Sequence, residues 1–305
     1  MDKLKVALVQ SAVIQHDYAK NLEYYTHKLE ELKDEDVQLV ILPEFFPTGN
    51  TLESILLKTG IESSSLVHKW LTVQSKRLNL IIAGAYLSLE NRQVFNKFVI
   101  QDPNGKISFH YKRFCPVVEA IYYQVGSIED NIVDTSIGKI GLITCIEMLY
   151  PEVMKMNFED CTLILIAFAI PNQFGLKAVI RRLTKVPLQL AKKNGVPVML
   201  CSMGGEFSSE GSPFLPFKMK SMYAGNSGIY FPDGSVIGPI SSEKEGILIA
   251  EISTLKNNYR KDSRIYVKTG IPIHVRFLNW IFKKKASKIY NNNLNKFLND
   301  LEGSR

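Results

Sequence analysis

No Cys-x-x-Cys pair occurs in this sequence; its four cysteines, Cys115, Cys145, Cys161 and Cys201, are widely spaced. That excludes a zinc ribbon and a disulfide scaffold, and it suits a reducing compartment. Long hydrophobic runs are lacking too. The longest, Leu163 to Ile170, is far too short to span a bilayer. The first residues, Met-Asp-Lys-Leu-Lys, lead straight into Val6-Ala7-Leu8-Val9 with no secretory apolar core, so a soluble cytoplasmic protein is expected. There is no zinc-finger spacing, RNP-like segment or internal repeat, and no nucleic-acid partner is expected. None of the five histidines stands in an evident catalytic setting. His16, His27, His68 and His274 fall in helical or loop stretches. Only His110 shares a strand face with a chemically interesting neighbour, Lys112, and it reads as a residue that packs in the core or supports the site residues from behind, a Cys–His dyad being the minor alternative.

What is present is an ordinary globular balance, 46% hydrophobic and 22% charged, over 305 residues. That length fits one large α/β domain or two small ones with a substantial core. The net charge of +7 favours anionic partners, and part of the excess lies in residues 256–296, including Lys283-Lys284-Lys285.

Short β-branched runs alternate with amphipathic stretches. Strands are predicted at Lys5–Val9, Val37–Leu42, Leu80–Ala85, Phe95–Ile100, Ile107–Tyr111, Lys139–Thr144, Leu163–Ala167, Pro197–Cys201, Ser227–Phe231 and Gly246–Glu251. Helices are predicted at Asn21–Lys33, Ser64–Arg77, Pro151–Phe158 and Lys177–Lys193. Several strands are apolar on both faces, as strands under helical cover are, which makes this an α/β protein with layered sheets. The Gly-, Ser- and Pro-rich stretch 202–226 reads as a functional loop, with Phe214, Leu215 and Phe217 as candidate lid residues. Residues 1–270 read as one domain. Residues 271–305 read as a basic amphipathic C-terminal extension that packs on the body or a second subunit, or touches a membrane surface.

Three residues could carry chemistry. Cys145 closes the run Ile140–Thr144 and precedes Pro151, so it occupies a strand-to-helix corner. There a helix N-terminus lowers a thiol's pKa and offers N–H groups to an oxyanion; alone, it is equally a small buried residue. Glu44 ends Val40-Ile41-Leu42-Pro43, where burial would raise its pKa and suit it to act as a base. Lys112 ends Ile107–Tyr111, from where an ammonium can steady a tetrahedral anion.

Leu42-Pro43-Glu44-Phe45, Tyr111-Lys112-Arg113 and Thr144-Cys145-Ile146-Glu147 through Pro151-Glu152 resemble, in this order, the nitrilase superfamily of carbon–nitrogen hydrolases. Val6–Gln10 and Gly225–Gly234 extend the likeness over roughly residues 4 to 260. The resemblance implies a four-layer α-β-β-α sandwich, assembly as a homodimer or higher homo-oligomer, and no metal or organic cofactor. It also implies a Glu44–Lys112–Cys145 triad acting through a thioester on a small-molecule amide or carbamoyl substrate. In this scheme Lys112 and the Ile146 N–H hold the oxyanion. A second glutamate positioning Lys112 is expected at Glu119, with Glu129 as the fallback. Ile146, Glu147, Phe168, Ala169 and Ile170 are the expected substrate-binding residues. Cys145-Ile146-Glu147 is also similar to the Cys-x-Glu of apolipoprotein N-acyltransferase domains, so transfer to an amine is the alternative to hydrolysis. A non-catalytic binding protein is the third reading.

Overall fold

The structure, a computed structural model, describes residues 3–127, 131–172, 176–254, 270–271 and 273–303, the side chains of His274 and Val275 excepted. Glu129, the fallback for the second glutamate, lies outside the described residues.

Two six-stranded sheets form the centre. The first contains β1 (Lys3–Gln10), β2 (Leu39–Glu44), β3 (Ile81–Glu90), β4 (Gln93–Gln101), β5 (Ile107–Tyr111) and β14 (Gly246–Ser253), in the order β14-β1-β2-β3-β4-β5. The second contains β6 (Ile132–Thr135), β7 (Gly138–Thr144), β8 (Leu163–Phe168), β9 (Val198–Ser202), β12 (Gly228–Tyr230) and β13 (Val236–Ile237), in the order β13-β12-β9-β8-β7-β6. In each sheet three central strands are parallel, β1-β2-β3 and β7-β8-β9. A small hairpin, β10 (Glu206–Ser209) with β11 (Met219–Met222), occupies the stretch read as a loop.

Alternation decides the layers. Leu4, Val6 and Leu8 of β1 point into an apolar cluster shared with Ile140, Leu142, Leu163 and Leu165, so the two sheets face each other there. The opposite face of the first sheet packs against α1 (Tyr18–Glu30), α2 (Ile55–Leu78) and α6 (Ile273–Gly303). That of the second packs against α3 (Pro151–Lys155), α4 (Lys177–Leu183) and α5 (Val186–Asn194). The result is the expected α-β-β-α sandwich.

Several helix bounds differ from the sequence reading, and two of the differences have a clear physical reason. Helix α2 begins nine residues before Ser64, at Ile55. Gly60, a poor helix former, lies in that first part because a Cβ there would come within 2.7 Å of Leu87 Cβ. The stretch 177–193 is two helices, because Pro187 lacks an N–H and its ring would clash with the carbonyl of Leu183. The tail is one long helix whose Ala286, Tyr290, Leu294 and Leu298 are buried in the cluster outside the first sheet. Among the described residues no helix is long and apolar enough to cross a membrane.

Candidate active site

Glu44 is the last residue of β2, a strand buried along its whole length. Pro43 cannot donate to the ladder, and the pairing of β2 with β3 shifts register between Ile41 and Glu44. That irregularity ends the strand and turns Glu44 into the interior, followed by Phe45 at a positive φ of 55°. Its Oε1 accepts from Asn96 Nδ2 and Lys112 Nζ, both at 2.8 Å. Its Oε2 is buried without a hydrogen-bond partner, leaving its lone pairs free for a proton. Burial raises the Glu44 pKa above the usual carboxylate value and the Glu119 charge adds to this, while Lys112 works against it.

Lys112 follows β5, its backbone held by an N–H bond to Asn96 O (2.9 Å) and a bond from Gly126 N–H (3.0 Å). The side chain is fully buried. Two of its three N–H donors are spent at 2.8 Å on Glu44 Oε1 and Glu119 Oε2. Burial alone would expel its charge, but Glu119 and Glu44 outweigh that cost and hold the Lys112 pKa well above its ordinary value. The ammonium therefore stays charged with one proton left to offer. Glu119 comes from a turn in which its N–H bonds to Pro116 O, and its Oε2 also accepts from Tyr123 OH at 2.5 Å.

Cys145 opens a short 3-10 turn (Cys145–Leu149) directly after β7, at a positive φ of 52°. A non-glycine residue held there costs about 1–3 kcal/mol, which the surrounding fold must offset. The charges of Glu44, Lys112 and Glu119 all act on its thiol. The sequence reading that this corner lowers the thiol's pKa is overturned. Burial and Glu44 push it well above its ordinary value, against the opposing pull of Lys112 and the Ala169 N–H. The direction of that shift favours the neutral thiol over the thiolate.

Glu147 also departs from expectation. Expected to bind substrate, it is fully buried, and its carboxylate faces the protein. It accepts from Arg113 N (2.8 Å) and Thr144 N (2.9 Å), with His110 Nε2 at 3.1 Å. Burial would raise its pKa, but His110 and the two backbone donors overcome this and leave it below the usual carboxylate range. It ties the residue after Lys112 to the residue before Cys145. His110, read as a packing or supporting residue, is part of that tie.

Ile146, Phe168 and Ile170 belong to the same buried apolar cluster as Cys145. Ala169 gives its carbonyl to Asn50 Nδ2 at 3.2 Å. Three groups escaped the sequence reading. Asn96 occupies the inward phase of Val94, Phe98 and Ile100 on β4, and a polar residue in an apolar alternation was its available signal. Tyr123 and Asn50 left none. Asn50 is a buried hub, its Oδ1 accepting from Tyr122 OH and its N–H bonding Tyr223 OH, both at 3.1 Å. Among the described residues no group of three or more His, Cys, Asp or Glu side chains is arranged to hold a metal ion.

A family profile described as carbon-nitrogen hydrolase matches residues 5–261. The chain is similar to omega-amidase YafV of Escherichia coli (strain B / BL21-DE3), 25% identical over 256 residues, 83% of this chain and 91% of the relative. It is likewise similar to 2-oxoglutaramate amidase of Bacillus subtilis, 26% identical over 240 residues, 76% and 83% of the two chains. In fold it is similar to a carbon-nitrogen hydrolase from Helicobacter pylori G27, with a TM-score of 0.72 at 19% identity, covering 92% of this chain and 94% of the other. Nit3 of Saccharomyces cerevisiae, a member of the nitrilase superfamily, superimposes with a TM-score of 0.67 at 23% identity, covering 83% and 90%.

Proposed function

The chain belongs to the carbon–nitrogen hydrolase family, and from that premise we propose that Cys145 cleaves a non-peptide amide or carbamoyl bond through a thioester. The observation that carries this reading is a fully buried Lys112 ammonium clamped at 2.8 Å by two carboxylates beside a strained cysteine corner. A purely structural core has no use for so costly a cluster.

In this reading Glu44 takes the thiol proton on Oε2 as Sγ attacks the carbonyl carbon. The remaining proton of Lys112 and the N–H of Ile146 meet the oxyanion. Collapse breaks the C–N bond, Glu44 returns the proton to the departing ammonia or amine, and the acyl group stays on Sγ. Water, deprotonated by Glu44, then attacks the thioester and releases the acid, while the thiolate regains its proton. Glu119 keeps Lys112 charged and aimed. Apolar Ile146, Phe168 and Ile170 with the small Ala169 shape the acyl side of the site.

The names of the relatives make terminal amides of short carboxylic acids the first substrates to test. Intact-protein mass spectrometry of wild type and Cys145→Ala with an amide panel reads the intermediate directly. An adduct on wild type alone supports the proposal, and absence of both adduct and turnover across the panel, with an inert Cys145 thiol, overturns it. An adduct that decays only when an amine is added would reassign the protein as an acyltransferase.

The proposal includes a partner for the outward face of α6. There Ile273, Phe277 and Trp280 are 84%, 58% and 77% exposed, in a helix that continues through Lys283, Lys284 and Lys288. Apolar and basic side chains together fit an anionic lipid surface, whereas a second copy would bring like charges together. Cosedimentation with phosphatidylserine vesicles but not with neutral ones is the expected result. A concentration-dependent dimer without vesicle binding would instead assign the face to a homo-oligomer.

A further inference from the structure

Helix α6 lies beyond the family match, which ends at residue 261, yet it reaches three segments that shape the site. Asn279 Oδ1 accepts from Val117 N–H at 2.8 Å, two residues before Glu119. Tyr290 OH accepts from Val94 N–H at 2.9 Å, two residues before Asn96. Phe282 packs on Phe214 with ring centroids 5.3 Å apart, holding the segment between β10 and β11.

The first of these contacts lies beside a cavity. That cavity, of about 410 Å³, is lined by Val117, Ala120 and Tyr123 of the Glu119 turn and by Asn279, Lys283 and Ser287 of α6. Turn and helix share one apolar cluster, in which Val117 and Tyr123 are buried with Ala286 and Tyr290. At the cavity's edge the Asn279 bond adds a directional polar attachment that apolar packing does not supply. The turn itself is stiff, because the N–H groups of Glu119 and Ala120 both bond to Pro116 O and that of Tyr122 bonds to Glu119 O. Moving Val117 thus moves Glu119 with it, and with Glu119 goes one of the two carboxylates on Lys112.

We propose that Asn279 is a positioning residue that fixes Glu119 against Lys112 through its bond to Val117, so that the C-terminal extension is part of the catalytic apparatus. This rests on the assignment of Glu44, Lys112 and Glu119 above. A displacement near 1 Å costs a well-oriented site up to about 100-fold in rate. A loosened Glu119 also places less negative charge beside Glu44, which lowers the Glu44 pKa.

The test compares full-length wild type, Asn279→Ala, Asn279→Asp and Glu119→Gln by kcat, KM and the pH profile of amide hydrolysis. Asn279→Ala is expected to lower kcat by roughly 10- to 100-fold with little change in KM. It should also move the acid limb of kcat/KM to lower pH, in the direction set by Glu119→Gln. Asn279→Asp keeps an acceptor oxygen and should restore most of both effects. If Asn279→Ala lowers only the melting temperature and leaves the acid limb and kcat in place while Glu119→Gln is crippled, the positioning role is refuted and the catalytic assignment stands. If Glu119→Gln itself changes neither rate nor pH profile, the catalytic assignment fails, and this inference fails with it.

Discussion

Replacing Asn96 by leucine removes one hydrogen bond to Glu44 and almost nothing else. The side chains share the same branched heavy-atom skeleton, and the Asn96 carbonyl that accepts from Lys112 N–H is backbone and survives. What goes is the 2.8 Å bond from Nδ2 to Glu44 Oε1, a donor that favours the ionised carboxylate. A buried hydrogen bond to a charged group contributes about 1.5–3 kcal/mol. At about 1.4 kcal/mol per pKa unit the loss raises the Glu44 pKa by roughly one to two. The sign follows directly. Glu44 already titrates above its ordinary value of 4.5, so losing a donor to its anion moves it higher still. The acid limb of kcat/KM should therefore shift upward by about one to two pH units, while the rate well above the limb falls only modestly. Where Glu44 is ionised, folding stability should fall by about 1.5–3 kcal/mol, the contribution of the bond lost, and by less at lower pH, where the neutral acid no longer needs that donor. Rate profiles from pH 5 to 9 and a thermal melt decide the matter. An acid limb that stays put or moves down would refute the role assigned to Glu44 as base.

Two further outcomes follow from the geometry. Glu147→Gln should destabilise the protein by about 3 kcal/mol at neutral pH, since it weakens three bonds to one buried carboxylate. Because Glu147 titrates below 4.5 in the fold, its stabilisation is complete above that value and fades as pH falls through the lower folded pKa; urea unfolding at pH 7 and pH 4 should show the gap to wild type narrowing. Gly126→Ala would drive a Cβ into the Tyr111 side chain and disturb the Gly126 N–H bond that fixes Lys112. A cost of about 1–3 kcal/mol, with kcat falling alongside the melting temperature, is the expected reading; unchanged kcat would show that Lys112 does not depend on that bond.

Periodicity alone was enough to place ten strands and to foresee two layered sheets under helices, because alternation and 3.6-residue spacing are local properties of the chain. It also put Glu44, Lys112 and Cys145 each at the end of a recognisable strand, but the resemblance to the nitrilase superfamily is what joined the three into a candidate triad. Short strands such as β6 and β13 escaped because four residues and two residues carry too little pattern. The start of α2 escaped because Gly60 argues against a helix until Leu87 is seen pressing on it.

The electrostatics of the site belong to the tertiary structure. Glu44 meets Asn96 and Lys112 across 52 and 68 residues of chain, and Asn279 meets Val117 across 162. Local pattern could say that Cys145 sits at a helix start, which by itself lowers a thiol's pKa. Only packing could bury that thiol beside two carboxylates and reverse the sign. Likewise Glu147, two residues after Cys145 in the sequence and so a natural candidate for substrate, is turned by the fold onto the backbone of Arg113 and Thr144. The chain determines which groups stand at the strand ends; the charge they carry there depends on burial and on partners that folding alone supplies.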